Sequence, residues 1–475
     1  MSVRTAFAIW LGLIGLSCGA ALAEESPPRQ APLLRERWRT PLQLHSPTNV
    51  VIGRIEGAAY FGVQGTAATN AGRAAGIELL NVNGKLVWQE SHREEQTGFL
   101  PGAYVQWVDA AHSAEARVLY SFVPDAQGRN GGARLLRAHD GALQGEIANS
   151  TQFGNNNSLL ADLDGDGRTE LVYADQKTLT CFDLGELTQR WRCDTGVHFC
   201  WSLPALADLN ADGKPEIVFG SEYNNADGSS AMMALDGRGK EVWRSDGHAE
   251  DLGSTPVFIG DVDGDGEQEL IKVGLDLEHR RKQKWNHVHV FSRGGKLVVR
   301  NEFGCTGIAL ADYNGDGKLD GAGITNTRDG GNSGRRAIRC IDLHDGRLVW
   351  ETAVERAYLD TNSPVAADLD GDGKPEAIVG TGNPAGYARL PNSDPWGDLY
   401  VVATDGTIMQ RVPLPGWPVN CAFCDIDSDG LAELTVVIDG TPGWLAVYDT
   451  AAKTTRKDWP TPFGDASRRG TQFTR

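Results

Sequence analysis

Six short acidic segments recur along this chain at a nearly constant interval, and they restrict its fold more than any other feature. They are DLDGDGRTE from Asp162, DLNADGKPE from Asp208, DVDGDGEQE from Asp261, DYNGDGKLD from Asp312, DLDGDGKPE from Asp368 and DIDSDGLAE from Asp425, at spacings of 46, 53, 51, 56 and 57 residues. A period near 50 is that of propellers, solenoids or repeat arrays. Each segment sits between two apolar runs, SPVAA and EAIVG around Asp368 for example, followed by a variable stretch and a third run, DLYVVA. A glycine turn and a fourth run such as RLVW complete the unit. Four runs of about five residues separated by turn chemistry describe a four-stranded antiparallel meander.

Two degenerate copies upstream, around Arg54 (VIGRIEGAAYFGV) and Asp109 (VDAAHSAEARVLYSF), keep the apolar runs without the full acid set. Eight units therefore tile most of the chain, with seven as the alternative count. Arranged radially, such units make an all-β propeller, whereas the coils of a linear solenoid are usually shorter. Tryptophan recurs in the fourth run at Trp88, Trp191, Trp243 and Trp350, which suits packing between blades. RERWRT around Trp38 reads as a fourth strand without the preceding three. It is expected to complete the last blade, begun near Asp425, and so to remove the open seam between chain ends.

Carboxylates crowded into nine residues repel one another unless a cation sits among them. Positions one, three, five and nine supply the ligands: Asp162, Asp164, Asp166 and Glu170; Asp208, Asn210, Asp212 and Glu216; Asp261, Asp263, Asp265 and Glu269. The later loops supply Asp312, Asn314, Asp316 and Asp320; Asp368, Asp370, Asp372 and Glu376; Asp425, Asp427, Asp429 and Glu433. Position seven can add a backbone carbonyl, and the glycine at position six permits the sharp turn. All-oxygen ligation rich in carboxylate suits calcium better than magnesium, which keeps waters and demands octahedral geometry. The helix-flanked calcium hand differs, since its last acid falls at position twelve. Tight metal-free Asp-Gly turns would explain one copy, but not six in register. Six calcium ions would move the formal charge from −18 to about −6.

The loops and their period resemble the FG-GAP or VCBS repeat family, the calcium-binding propeller repeats also found in integrin alpha chains. The resemblance covers about residues 47–460 and implies about six Ca2+ sites on one face of the propeller. It also implies that ligands meet the opposite loops, those entering strand one and those joining strands two and three. Members serve as adhesins, receptors, carbohydrate-binding proteins and, less often, enzymes, so activity does not follow from fold.

The variable stretches between the second and third runs collect basic and aromatic residues: Arg280, Arg281, Lys282, Lys284 and Trp285; Arg328, Arg335 and Arg336; Tyr387, Arg389 and Trp396. Arginines pair with carboxylates and aromatic rings stack on sugars, so these are candidate ligand contacts. The connections leading into the first strands add Asn155, Asn156, Asn157, His198, Trp201, Glu250, Asp251, Asp360 and Asn362. The plain alternative is that these groups satisfy loop backbone or are solvated.

With 45 basic and 63 acidic side chains, the chain lacks the basic surface that nucleic acid requires. Residues 1–23 read as an export signal, with Arg4, an apolar run and Ala21-Leu22-Ala23 before EESPP. A lipoprotein signal through Cys18 is the rival. Residues 24–46 hold the closing strand, 47–460 the propeller and 461–475 a tail. No later run is long enough to span a bilayer. Export exposes seven remaining cysteines to oxidation, at least one of them unpaired in a monomer. CAFC at 421–424 has redox spacing without thioredoxin-like context.

The expected protein is a secreted, periplasmic or cell-surface monomer that binds an anionic polysaccharide or a cell-surface protein, without catalysis. The alternatives are a calcium-dependent lyase or hydrolase, resembling rhamnogalacturonan lyases, and a structural subunit of an envelope assembly. GSSA at 228–231 is not a nucleophile elbow, and His287 and His289 lack a third metal ligand. His198 is the candidate base if the chain is a lyase.

Overall fold

The computed structural model describes residues 31–453, except 70–71, 97–104, 109–114, 123–130, 151–157, 175–176, 199–203, 223–227, 254, 277–286, 302–306, 325–335, 356–358, 361–363, 384–394 and 441. Every regular element among them is a strand, and the strands form eight antiparallel sheets. Blades 1 to 7 span residues 45–96, 105–150, 158–194, 205–248, 257–301, 309–353 and 365–414. Blade 8 takes three strands from 417–449 and its fourth from Arg35–Pro41. The count is thus eight, not seven. Blades 5 and 7 carry an additional two-residue strand, Glu250–Asp251 and Leu359–Asp360, hydrogen-bonded to the end of their second strands.

Within a blade the inner strands are apolar on both faces because both faces meet a neighbouring blade. Glu216–Gly220 and Ser230–Leu235 are buried along their whole length, while the fourth strand of the same blade, Glu241–His248, is half exposed. Apolar clusters join the blades in sequence around the ring. Ile77 meets Val118 between blades 1 and 2, and Leu135 meets Leu171 between blades 2 and 3. Ile426 and Val437 of blade 8 share a cluster with Val50 and Phe61 of blade 1, so the ring is closed by the same apolar contact that joins every other pair.

The closing strand pairs antiparallel with Trp444–Asp449, from Arg35 opposite Asp449 to Pro41 opposite Trp444. Gln410 of blade 7 holds its start: Leu34 N donates to Gln410 Oε1 at 2.9 Å and Gln410 Nε2 donates to Leu34 O at 2.9 Å. That glutamine stands at the strand position occupied by tryptophan in blades 1, 3, 4, 6 and 8, because blade 8 has no third-to-fourth turn for a tryptophan to pack beneath.

Where the turn exists, the packing is explicit. Trp38, Trp88 and Trp191 each donate their indole N–H to a carbonyl of the next blade, Val82, Ala138 and Gly237, at 3.1, 2.8 and 2.9 Å. The turn glycine of that next blade lies against the ring. A Cβ on Gly239, whose φ is +77°, would stand 2.6 Å from Trp191, and one on Gly295 would stand 2.5 Å from Trp243. Blades 2 and 3 reverse the sizes, since Gly145 occupies the strand position and Leu187 comes from the turn to fill it. The tryptophans are thus inter-blade packing groups.

Five cysteines lie among the described residues, and all are free thiols. Cys421 and Cys424 are three residues apart on one strand and therefore point to opposite faces of it, Cys421 toward the core shared with blade 7 and Cys424 toward that shared with blade 1.

Gly239→Ala should cost roughly 1–2 kcal/mol for the left-handed backbone and about 1–3 kcal/mol more for overpacking against Trp191. Gly57→Ala, also at positive φ but with nothing within 4 Å of the added Cβ, should cost only the first part. Urea unfolding of the two variants separates the contributions; equal midpoints would remove the tryptophan contact from the account.

Candidate metal loops and the opposite face

Every acid loop joins the first strand of a blade to the second, so all six hang from the same face. Their internal geometry repeats. In the first, Asp162 Oδ1 accepts from Gly165 N at 2.7 Å and Asp166 N at 3.1 Å, while Oδ2 accepts from Gly167 N at 2.9 Å. Asp164 and Asp166 accept from the N–H two residues on, at 3.1 and 2.8 Å. The glycine at position six has φ between +83° and +90° in all six loops. Position four is left-handed as well, at a strained Ala211 and Ser428 in two loops and at glycine in the others.

Position two is an apolar anchor: Leu163, Leu209, Val262, Tyr313, Leu369 and Ile426 are all buried. Its N–H donates to the carboxylate at position nine, which begins the second strand, at 2.9, 2.8, 2.9, 2.9, 2.7 and 3.0 Å around the ring. One oxygen of each position-nine acid is thereby committed, and the other faces the loop.

These groups resist ionisation without a cation. Burial first, then the neighbouring loop carboxylates, push Glu269 and Glu376 up to about 7. Glu170 and Asp320 also rise to about 7, again chiefly through burial. Glu216 and Glu433 are raised for the same first reason. The backbone N–H of position two opposes each shift without cancelling it.

The structure brings carboxylate oxygens within 4.8 Å of one another in four loops: Asp162, Asp164 and Glu170; Asp261, Asp263 and Asp265; Asp368, Asp370 and Glu376; Asp425, Asp427 and Glu433. Such oxygen clusters can hold a hard metal ion. The loops at Asp208 and Asp312 differ because position three is asparagine. Asn210 Nδ2 lies 3.1 Å from Glu216 Oε1, and Asn314 Nδ2 lies 3.3 Å from Asp320 Oδ1. The acids Asp212, Asp316, Asp372 and Asp429 cap the position-seven N–H at 2.8 to 2.9 Å.

Two arginines outside the nine-residue loops enter this chemistry. Arg190 Nη1 lies 2.9 Å from both Asp164 Oδ2 and Glu170 Oε1, and Arg37 Nη1 lies 2.9 Å from Asp427 Oδ2. A signal was present: both immediately precede a fourth-strand tryptophan, where Trp88, Trp243 and Trp350 follow valine. The degenerate copy at Arg54 keeps its strands and joins them by a turn at Glu56-Gly57 instead of an acid loop. Arg54 reaches blade 8, donating to Asp425 O at 2.5 Å and Ser428 Oγ at 3.3 Å. Asp109 lies outside the described residues.

The opposite face carries the connections from second to third strands and from one blade to the next. Of the candidate ligand contacts, Arg336 and Trp396 are described, at the starts of third strands in blades 6 and 7; Arg336 Nη1 donates to Glu355 O at 3.3 Å. Arg280, Arg281, Lys282, Lys284, Trp285, Arg328, Arg335, Tyr387 and Arg389 lie outside the described residues, as do Asn155, Asn156, Asn157, Trp201 and Asn362. His198 Nδ1 is 3.0 Å from Glu222 Oε2. Glu250 and Asp251 are buried rather than displayed. Glu250 pairs with Arg300, 2.8 Å from its Nε, and with His289 at 3.3 Å, and these partners hold its carboxyl down at about 2 against the cost of burial. The expectation that these two acids line the open face is therefore corrected: the added strand folds them inward.

The family model of the FG-GAP-like repeat matches residues 162–219 and 208–271, which are blades 3 and 4 with the loop of blade 5. These are FG-GAP-like repeats. No curated protein matches this chain in sequence. Among solved structures, BamB from Moraxella catarrhalis is 14% identical with a TM-score of 0.53, covering 88% of this chain and 99% of its own. A europium-containing methanol dehydrogenase is 11% identical with a TM-score of 0.55, covering 88% and 93%. The Dos1 propeller is 10% identical at 0.53, covering 88% and 95%. At these identities the likeness is one of fold. No helix among the described residues of this propeller is long and apolar enough to cross a membrane.

The raised position-nine acids set a pH dependence. A carboxylic acid whose folded pKa exceeds its unfolded value stabilises the fold below about pH 4.5, and this contribution is lost as pH rises through about 7. In chelator the melting temperature should fall between pH 5 and 8, and a bound divalent ion, which favours the ionised acids, should flatten that fall. Parallel melts with and without metal measure it; identical slopes would refute the loops as ion sites.

Proposed function

We propose that this chain is an exported, calcium-stabilised propeller that binds an anionic polysaccharide without cleaving it. The observation that carries the reading is the division of labour between the two ends of blades 5, 6 and 7. The acid loops join strands one and two, while Arg336 and Trp396 stand at the starts of third strands at the opposite end, and the other basic and aromatic candidates fall between second and third strands in the sequence. Ion binding can then rigidify the scaffold without obstructing a ligand. Calcium is favoured because the ligands are all oxygen and rich in carboxylate. Guanidinium pairs with glycan carboxylates, and indole and phenol rings stack on sugar faces.

Export rests on residues 1–23, which lie outside the described residues; mass measurement of the mature chain, expected to begin near Glu24, tests it. Size-exclusion chromatography of calcium-loaded protein with acidic and neutral polysaccharides tests the ligand. Co-elution with intact acidic glycan is expected, and Arg336→Ala should weaken it about ten-fold, equivalent to one charge-assisted contact of about 1.4 kcal/mol. Failure to co-elute would overturn the glycan reading in favour of a protein partner. One observation favours a second reading: a histidine oriented by a carboxylate, as His198 is by Glu222, is what a general base needs. Shortened glycan, abolished by His198→Ala at unchanged calcium content, would establish the lyase instead.

A further inference from the structure

The six acid loops look equivalent in sequence, yet they are not equivalent in charge. In blade 3 the guanidinium of Arg190 stands inside the ligand cluster, with Nη1 2.9 Å from Asp164 Oδ2 and from Glu170 Oε1, and Nη2 3.3 Å from Asp166 Oδ2. Asp183, at the end of the third strand, holds Nη2 from behind at 3.0 Å. In blade 8 Arg37 repeats the arrangement from the closing strand. Nη1 is 2.9 Å from Asp427 Oδ2, Nη2 is 3.1 Å from Glu433 Oε1, and Nε donates to Asp449, the counterpart of Asp183. Arg54 of blade 1 adds a second guanidinium at the same loop.

The corresponding fourth-strand position is Val242 in blade 4, Val298 in blade 5, Val349 in blade 6 and Met409 in blade 7, none of which can supply charge. Among the described residues no ion pair reaches Asp261, Asp263, Asp265 or Glu269 of blade 5, nor Asp368, Asp370, Asp372 or Glu376 of blade 7. In blades 4 and 6 the position-three groups are the Asn210 and Asn314 amides, which carry no charge and can turn their oxygen to an ion. Among the described residues the guanidinium nearest the blade 6 loop, Arg347, pairs with Asp342 and Asp345 and with none of the four ligand positions.

A calcium ion takes its oxygens at about 2.3–2.6 Å. An ion held by Asp164 and Glu170 would stand in the space that Arg190 Nη1 fills, and by a like argument Arg37 excludes one from Asp427 and Glu433. We propose that the guanidinium groups of Arg190 and Arg37 serve as built-in cations in blades 3 and 8, so that only the loops of blades 4, 5, 6 and 7 take calcium. Two of the six repeats are thereby independent of metal. One of them is the blade completed by Arg35–Pro41, so the pairing that closes the ring does not itself require an ion. The proposal rests on the calcium reading for its count and on the ion pairs alone for the two arginines.

Two measurements on the mature chain test it. Calcium per chain, measured by plasma mass spectrometry after gel filtration in micromolar free calcium, should be about four, with Arg190→Gln gaining about one more; five or six in the wild type overturns the proposal. Melting in excess chelator provides an independent arm. Asp164→Asn removes a partner of Arg190 and should lower the melting temperature by about 1–3 °C, whereas Asp263→Asn in blade 5 relieves repulsion and should leave it unchanged or raise it. Variants that respond alike overturn the assignment of Arg190. A chain that binds no calcium while these variants still diverge keeps that assignment and overturns the calcium reading.

Discussion

Antiparallel pairing between Arg35–Pro41 and Trp444–Asp449 is the contact on which the rest of this molecule depends. A propeller blade is apolar on both faces, so a ring left open would expose two such faces and an unpaired strand edge. Here residues more than 400 positions apart supply the last sheet, and Ile426, Val437 and Leu445 of blade 8 then meet Val50 and Phe61 of blade 1 as any other pair of blades would. Closure also has the highest loop entropy to overcome. That fits the concentration of polar fastenings on this strand: the paired hydrogen bonds of Gln410 with Leu34 and the guanidinium contacts of Arg35 and Arg37.

The inter-blade contact is a size rule rather than a residue rule. A large group at one position of the fourth strand requires a glycine in the following turn, as Trp191 requires Gly239, and a glycine in the strand admits a leucine from the turn, as Gly145 admits Leu187. Where no turn follows, Gln410 replaces packing with hydrogen bonds to backbone. The repeat can therefore drift in sequence while the gap between blades stays filled.

The acid loops face a related constraint in electrostatics. Each buries the carboxylate at position nine against one backbone N–H and leaves its second oxygen among other carboxylates. Within the chain this oxygen meets a guanidinium in blades 3 and 8 and an amide in blades 4 and 6, while in blades 5 and 7 the like charges stand together. Unequal demand for a cation follows from what the fourth strand happens to present.

Period, alternation and turn chemistry were sufficient to read the propeller, the eight units and the closing strand from the sequence, because these depend on local propensity and on repetition. The acid loops and their turns were legible for the same reason: nine consecutive residues contain their own geometry. The two arginines were written in the sequence as Arg-Trp in place of Val-Trp, yet nothing local says that a fourth-strand side chain reaches a loop twenty residues earlier in one blade and nearly four hundred later in another. Nor could the sequence show that Glu250 and Asp251 turn inward, since that follows from an added strand pairing with Leu275 and Asp276. Local sequence determined which loops could carry ions; only the assembled blade decided which of them already hold a positive charge, because charge neutralisation depends on distance in space and not along the chain.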